Sequence, residues 1–450
     1  MRDSVFIHSQ DQLKQLAQDV LRFAREQGAS DASVDFSEGA GLSVSVRKGK
    51  IETIEQNKDK GMGVTVYIGQ QRGNASTSDF SEAALRATVE AAYNIARFTA
   101  ADDCAGLPDA DKLEMQPLDL RLCHPWLISA EQAVALAQRT EAAAFAVDKR
   151  ITNSEGASVY AQQSHFVSAN SRGFIGGYPF SRHSISVAPI AGKGSKMQRD
   201  NWYSSARNPK KLAKPEDIGR YAAERALARL NARKLDTRKC PVLFEAPLAS
   251  GLLGAFVQAV SGGALYRKST FLLDSLGTQV FPSDIQIVED PHIIGATGSS
   301  PFDDEGVRTQ RREVVADGVV QGYFLSTYSA RKLGMQTTGN AGGAHNLSLT
   351  SSLTRRTDNF KAMLKKLHTG LLVTELMGQG TNFVTGDYSR GASGFWVENG
   401  VIQYPVEEIT IAGNMKDILR QIVAVGADTL ERGTRKTGSL LIENMIIAGG

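Results

Sequence analysis

Between residues 9 and 27 apolar side chains recur at Leu13, Leu16, Ala17, Val20, Leu21 and Ala24. That spacing draws one stripe along a helix. Ser9 and Gln12 stand before it at capping-box spacing, and Gly28 marks its stop. The period then changes from helical to two. Ala32, Val34 and Phe36 alternate with polar residues, as do Leu42, Val44 and Val46, and then Val64, Val66 and Ile68. These runs predict strands, with a turn at Arg47-Lys48-Gly49-Lys50. Asp79 with Glu82 reads as the cap of a second helix, whose stripe is Leu85, Val89, Ala92 and Ala96 with Ile95 beside it. Helix, antiparallel strands, helix is an α+β layer.

Residues 99–128 carry Pro108, Pro117 and Pro125 and little periodicity, which predicts a connector. Ser129 with Gln132 opens a third helix, to about Asp148. Residues 151–190 read as a meander with turns at 170–173 and 175–179. Pro215-Glu216-Asp217 begins a helix reaching about Leu230, with Pro in the first turn and acids against the helix dipole. The basic run 232–239 reads as a solvated linker. From Cys240 onward the chain is Gly-rich and strand-like. Asp317-Gly318 and Asn399-Gly400 sit between apolar runs, the signal of two-residue hairpin turns. Helices are expected at 248–261 and 414–425, and residues 381–400 read as strand, irregular turn, strand. The expected organisation is an N-terminal α+β domain with its connector (1–128), a central helix and meander segment (129–235) and a β-rich C-terminal domain (236–450). The expected fold class is α+β.

Composition narrows the function. The chain has 450 residues, 42% hydrophobic and 22% charged, with a net charge of +3. So small a charge does not make a nucleic-acid footprint. No apolar run is long enough to span a membrane, and the N-terminus lacks a secretory signal. Cys104, Cys123 and Cys240 show neither zinc spacing nor a disulfide framework, and the expected compartment is a reducing cytoplasm. No two of the seven histidines lie within five residues of each other, which excludes a His pair on one helix face. Ser389, in Tyr-Ser-Arg-Gly-Ala-Ser-Gly, does not sit in a nucleophile elbow. Gly192-Lys193-Gly194-Ser195 is too short for a phosphate loop. Asp303, Asp304 and Glu305 are open to two readings: metal or acid–base chemistry, or an acidic turn. Asp387 and Arg390 either pair to fix a turn or face a peptide.

Several segments carry a resemblance: 266–277 (YRKSTFLLDSLG), 300–309 (SPFDDEGVRT), 328–334 (YSARKLG), 374–380 (TELMGQG) and above all 385–414 (TGDYSRGASGFWVENGVIQYPVEEITIAGN). Residues 102–109 and 148–156 fit as well. The chain resembles the TldD/PmbA family over nearly its whole length, on the PmbA (TldE) side. The resemblance implies two similar paralogues joined in a cytoplasmic metalloprotease complex that acts on peptides and unfolded chains, including peptide-antibiotic precursors. TldD-type chains bind their metal with H-E-x-x-x-H on a helix and a later Cys. Aligned without a gap from Tyr266-Arg267-Lys268, the two His positions fall on Gly254 and Ala259 and the Glu position on Ala255. No Cys follows Cys240. The resemblance therefore implies a partner subunit with no catalytic or metal-binding residue and no cofactor of its own, the zinc being held by a TldD-like chain. A helix with apolar residues where ligands would stand should be buried or paired, so self-association is expected when the chain is alone. An alternative is a stand-alone homodimeric peptide-binding protein, and a third reading is a hydrolase using the 303–305 acids. The candidate substrate contacts are Asp387, Tyr388, Arg390 and Gly391, beside a strand edge at 395–398 that an extended peptide could join, against hairpin packing alone.

Overall fold

The computed structural model describes residues 5–430 and 432–449. The first helix, α1 (Gln10–Glu26), forms as its stripe predicts, with Ser9 and Gln12 closing a capping box. β1 (Asp31–Arg47) and β2 (Lys50–Ile68) are long strands joined at Lys48-Gly49, both at positive φ. β3 (Gln71–Thr77) and α2 (Glu82–Phe98) follow. The cap of α2 is Ser81, whose side chain accepts from Ala84 N. Asp79 instead accepts from Ser81 N in the turn before the helix, so the cap lies two residues later than the sequence suggested. After the connector come α3 (Ala130–Phe145), capped by Ser129 with Gln132, then β4 (Ile151–Asn170), β5 (Ile175–Gly176) and β6 (Pro179–Ala191). β7 (Gln198–Arg199), β8 (Trp202–Ala206) and α4 (Pro215–Ala228) complete the first half.

These strands form one eight-stranded antiparallel sheet with the path β3-β2-β1-β4-β6-β7. It runs unbroken past residue 128, because β1 pairs with β4 from Ser33↔Asn170 to Val46↔Ala157. Strict alternation in β1 puts its even positions inside. Val34 and Phe36 pack under α1 and α2, while Leu42, Val44 and Val46 pack under α3 and α4. Four helices thus cover one face. The odd positions, Ser33, Asp35, Ser37 and Gly39, form the other face, which carries no helix.

The second half starts with β9 (Arg238–Phe244), α5 (Ala246–Ala259) and α6 (Gly262–Tyr266). β10 (Ile285–Glu289), β11 (Arg312–Ala316), β12 (Val319–Val320), α7 (Thr327–Lys332) and β13 (Leu347–Ser351) follow. Then come α8 (Phe360–Leu367), β14 (Gly370–Met377), β15 (Asp387–Glu398), β16 (Val401–Asn414), α9 (Met415–Arg420), β17 (Ile422–Val425), β18 (Arg435–Lys436) and β19 (Leu440–Ala448). They make a five-stranded sheet, β12-β11-β10-β13-β18, and a six-stranded sheet, β16-β15-β14-β9-β19-β17, around one large core. The fold is α+β.

Three local expectations are corrected. The helix expected over 414–425 ends at Arg420, and Ile422-Val423-Ala424-Val425 pairs with β19 instead, as β-branched residues favour. The segment 387–394 is continuous strand, and its irregular turn lies earlier, at 378–386. The basic run 232–239 is not a solvated linker. Leu235 is buried in the C-terminal core, Arg233 N bonds Pro405 O, and Arg238 already begins β9.

The connector ties the halves together. Leu113 bridges Val307, Arg331 donates to Leu107 O at 2.8 Å, and Asp102 accepts from Lys332 Nζ and Tyr328 Oη at 2.9 and 2.7 Å. Among the described residues no helix is long and apolar enough to cross a membrane.

Candidate functional site

The helix aligned with the metal-binding motif is α5. Leu252, Leu253, Phe256, Val257 and Ala259 are buried in the core, and Ala259 O accepts from Thr270 Oγ1 at 2.6 Å. A Cβ on Gly254 would lie 2.8 Å from Arg435 Nη1, the far end of a flexible side chain that would have to move aside for a larger residue. Gly254, Ala255 and Ala259 offer no donor atom. Cys240 is buried on β9, where desolvation pushes its thiol up to about 11 and keeps it protonated. Among the described residues no three His, Cys, Asp or Glu side chains are grouped to hold a metal ion. The residues at this helix do not fit zinc.

The second place is β15. Asp387 and Arg390 point to opposite sides of the strand. Asp387 is exposed, accepting from Thr385 Oγ1 at 2.7 Å and Asn414 Nδ2 at 3.3 Å. It therefore fixes the approach to the strand without Arg390. Tyr388 faces the core at 4% exposure, and burial pushes its hydroxyl up to about 12 against the opposing pull of Arg390. Among the described residues Tyr388 Oη and Arg390 Nε are buried with no hydrogen-bond partner in good geometry, although Arg390 lies close enough to act on the Tyr388 hydroxyl. Gly391 lies opposite Met377 and Thr410. The four candidate contacts are thus divided between two faces. The expected free edge at 395–398 is absent, because that stretch pairs with β14 on one side and β16 on the other. Farther back, Ser389 N bonds Gly380 O and Asn382 N bonds Asp387 O, so the 378–386 loop closes along the strand.

The third place was not foreseen. A cavity of about 780 Å³ lies on the helix-free face of the first sheet. Its floor is Asp35, Ser37 and Gly39 of β1 with their register partners Ser168, Phe166 and Ser164 of β4, and Gly61 of β2. Tyr178 and Phe180 form one wall, and the loop 300–304 of the C-terminal half forms the roof. Neither α5 nor 387–391 lines it.

The acidic triplet meets this cavity with three different roles. Asp303 is 4% exposed; its Oδ1 accepts from Glu305 N and Val307 N and its Oδ2 from Ala341 N, all at 2.9 Å. It fixes the turn, while burial and Glu305 push it up to about 7. Glu305 accepts from Thr327 N at 2.8 Å, at the start of α7. Asp304 has no such partner and is accessible from the cavity, with burial raising its pKa. Across the cavity Asp35 is likewise accessible and accepts from Ser168 Oγ, and burial, with the charge of Asp304, raises its pKa. At the rim Glu38 is held by His165 Nε2 at 3.2 Å and by His8, whose backbone N–H also donates at 3.1 Å. These bonds outweigh burial and lower its pKa. Farther under the roof, Glu289 accepts from Arg312 Nε at 2.7 Å, His345 N and Asn340 Nδ2 at 2.8 Å, and His345 Nδ1 lies 3.0 Å away.

Comparison with known proteins gives three domain matches in chain order. They are PmbA/TldA metallopeptidase domain 1 over residues 32–96, the central domain over 123–230 and the C-terminal domain over 237–449. The chain is 49% identical to Metalloprotease PmbA of Escherichia coli O157:H7 over 94% of this chain and 93% of that one. It is 47% identical to a PmbA homolog of Haemophilus influenzae (98% and 97% covered) and 24% identical to a TldD homolog of the same organism (82% and 79%). Among solved structures, a candidate modulator of DNA gyrase from Bacteroides thetaiotaomicron superposes with a TM-score of 0.92 at 27% identity, covering 99% of this chain and all of that one. TldE from Thermococcus kodakarensis shares the fold, with a TM-score of 0.83 at 19% identity over 96% of this chain and all of that one.

Proposed function

The chain belongs to the PmbA/TldD metallopeptidase family, and from that premise we propose that it is the metal-free partner subunit of a two-chain metalloprotease acting on peptides and unfolded chains in the cytoplasm. The observation that carries this reading is α5. Where a TldD-type chain has two His and a Glu, this helix has Gly254, Ala259 and Ala255, packed into the core and under Arg435. A zinc centre would supply Lewis-acid activation of water, and these residues can neither hold the ion nor move the proton.

The relatives support a division of labour. Haemophilus influenzae has both a PmbA homolog and a TldD homolog, and this chain stands much nearer the first. The metalloprotease name of the PmbA relatives then describes the assembly, with the metal in the TldD-like chain. This subunit contributes a wall and binding surface, and pairs with itself when its partner is absent. Two-fold pairing is the commonest closed assembly of soluble chains.

The test is co-expression with an H-E-x-x-x-H-bearing paralogue from the same genome. The expected result is a co-purifying complex that contains zinc and cleaves an unfolded peptide, with neither property in this chain alone. Tightly held zinc, at about one per chain, or proteolysis by this chain alone would overturn the proposal.

A further inference from the structure

We propose that the cavity between the helix-free sheet face and the 300–304 loop binds the cationic side chain of a peptide, a lysine ammonium or an arginine guanidinium. The inference deepens the peptide-handling reading above and rests on it for the identity of the carrier. It begins with charge. Asp35 reaches the cavity from the floor and Asp304 from the roof, and neither forms an ion pair among the described residues; the base whose charge reaches Asp304 is His345, itself bonded to Glu289. Of the bases nearby, Lys60 itself lines the cavity, while His165 and Arg207 are engaged by other groups. Lys60 Nζ lies 4.8 Å from the centre of the Phe80 ring, and His165 is bonded to Glu38. Arg207 spends its N–H groups on Ser181 O, Ala296 O and Thr297 O.

The second observation is independent of charge. Phe166 packs edge-on against Tyr178 with ring centres 4.7 Å apart, and Phe302 joins both at 6.1 and 5.6 Å. All three line the same cavity as the carboxylates, Phe166 and Tyr178 half-buried and Phe302 buried where it packs on Phe174 and Leu113. Aromatic faces beside carboxylates attract an organic cation through the ring quadrupole and take up the apolar stem that carries it. A small hydrated metal ion would gain nothing from these rings. The backbone of the carrier has space as well, since Gly61 and Gly63 on β2 would meet no atom within 4 Å of an added Cβ. Asp304 also lies directly against Gly342, so the neighbouring 341–343 loop backs this carboxylate.

The test uses this chain alone, so it is decided whether or not the chain assembles with a TldD-like partner. Two capped pentapeptides that differ only in a central Lys or Gln are titrated by calorimetry, with spermidine as a third probe. The Lys peptide should bind about tenfold more tightly than the Gln peptide, roughly one charge-assisted contact. Asp304→Asn, whose side chain makes no hydrogen bond to lose, should abolish the difference, and Asp35→Asn should reduce it. Phe302→Leu should weaken the Lys peptide and leave the Gln peptide unchanged. Equal binding of the two peptides, or an undiminished Lys preference in folded Asp304→Asn, would overturn the inference. Tighter binding of spermidine than of the Lys peptide would overturn the peptide as carrier.

Discussion

Glu289→Gln tests how the roof of the cavity is held. Glu289 is 1% exposed on β10 and bonds Arg312, Asn340 and His345. Asn340 also bonds Gly343 O, and the adjacent Ala341 N holds Asp303. Glutamine keeps the shape but removes the charge and turns an NH₂ group toward a donor. Burial opposes the Glu289 charge, yet its partners pull its pKa from 4.5 to about 2. That difference corresponds to about 3 kcal/mol, within the roughly 3–5 kcal/mol expected when one partner of a buried pair is removed. Because the folded pKa is depressed, the stabilisation is complete above pH 4.5 and disappears as pH falls toward about 2. The variant should therefore be less stable than wild type at pH 7 and converge with it in acid. Urea unfolding from pH 7 down to pH 3 measures the gap, and hydrogen exchange at 340–347 locates it. A variant within about 0.5 kcal/mol of wild type at pH 7, with unchanged exchange in that loop, would refute the reasoning.

The remaining predictions concern the helix and the hairpin. Gly254→His, Ala255→Glu and Ala259→His together should not create a zinc site; Ala259 is fully buried, so overpacking and polar burial should cost at least about 2 kcal/mol, read by urea unfolding and elemental analysis. Gly394→Val should prevent folding, because a Cβ there would lie 1.8 Å from Leu372 O, whereas Gly391→Val meets only Met377 at 3.4 Å and should fold, as circular dichroism would show. In the two-chain complex Arg390→Ala should assemble normally and slow cleavage of an unfolded peptide several-fold; a normal rate would make β15 scaffold only.

What was legible in the sequence was local. The capping boxes at Ser9 and Ser129 hold because both partners lie within four residues. The two hairpins hold because Asp317-Gly318 and Asn399-Gly400 take φ values of 49° and 77°, and 51° and 74°, as a two-residue turn requires. Misreadings arose where local rules tie. Ser81 and Asp79 are both good caps, and only the geometry of the turn selects Ser81. Gly391 and Gly394 look like turn residues, but Gly394 serves close packing against Leu372 inside a strand. The cavity was invisible for another reason. Asp35, Ser37 and Gly39 read as the solvent face of an amphipathic strand, and nothing local says that residues 300–304 fold over them. The bonds joining His8 and His165 to Glu38 depend on the same distant pairing of strands.

The energetics of individual residues separate scaffold from site. On α5 two of the three differences from the metal motif sit in packed surroundings: Ala259 fills a closed core position, and Gly254 lies beside the Arg435 guanidinium. The acidic triplet does not reduce to packing so completely. Asp303 is accounted for by three backbone N–H groups and Glu305 by the start of α7. Asp304 stabilises no turn and pairs with no base among the described residues, yet it sits where its charge is costly and adds to the cost of Asp35. An apolar or amide side chain there would relieve that repulsion. Two carboxylates with no ion pair among the described residues, in a cavity walled by aromatic rings, fit what is proposed to enter the cavity better than they fit the stability of the fold. The donor atoms missing from α5 and the proposed cation-binding cavity therefore lie in different places. For that reason Asp304→Asn should alter peptide preference without lowering stability, which neither α5 nor β15 variants are expected to do.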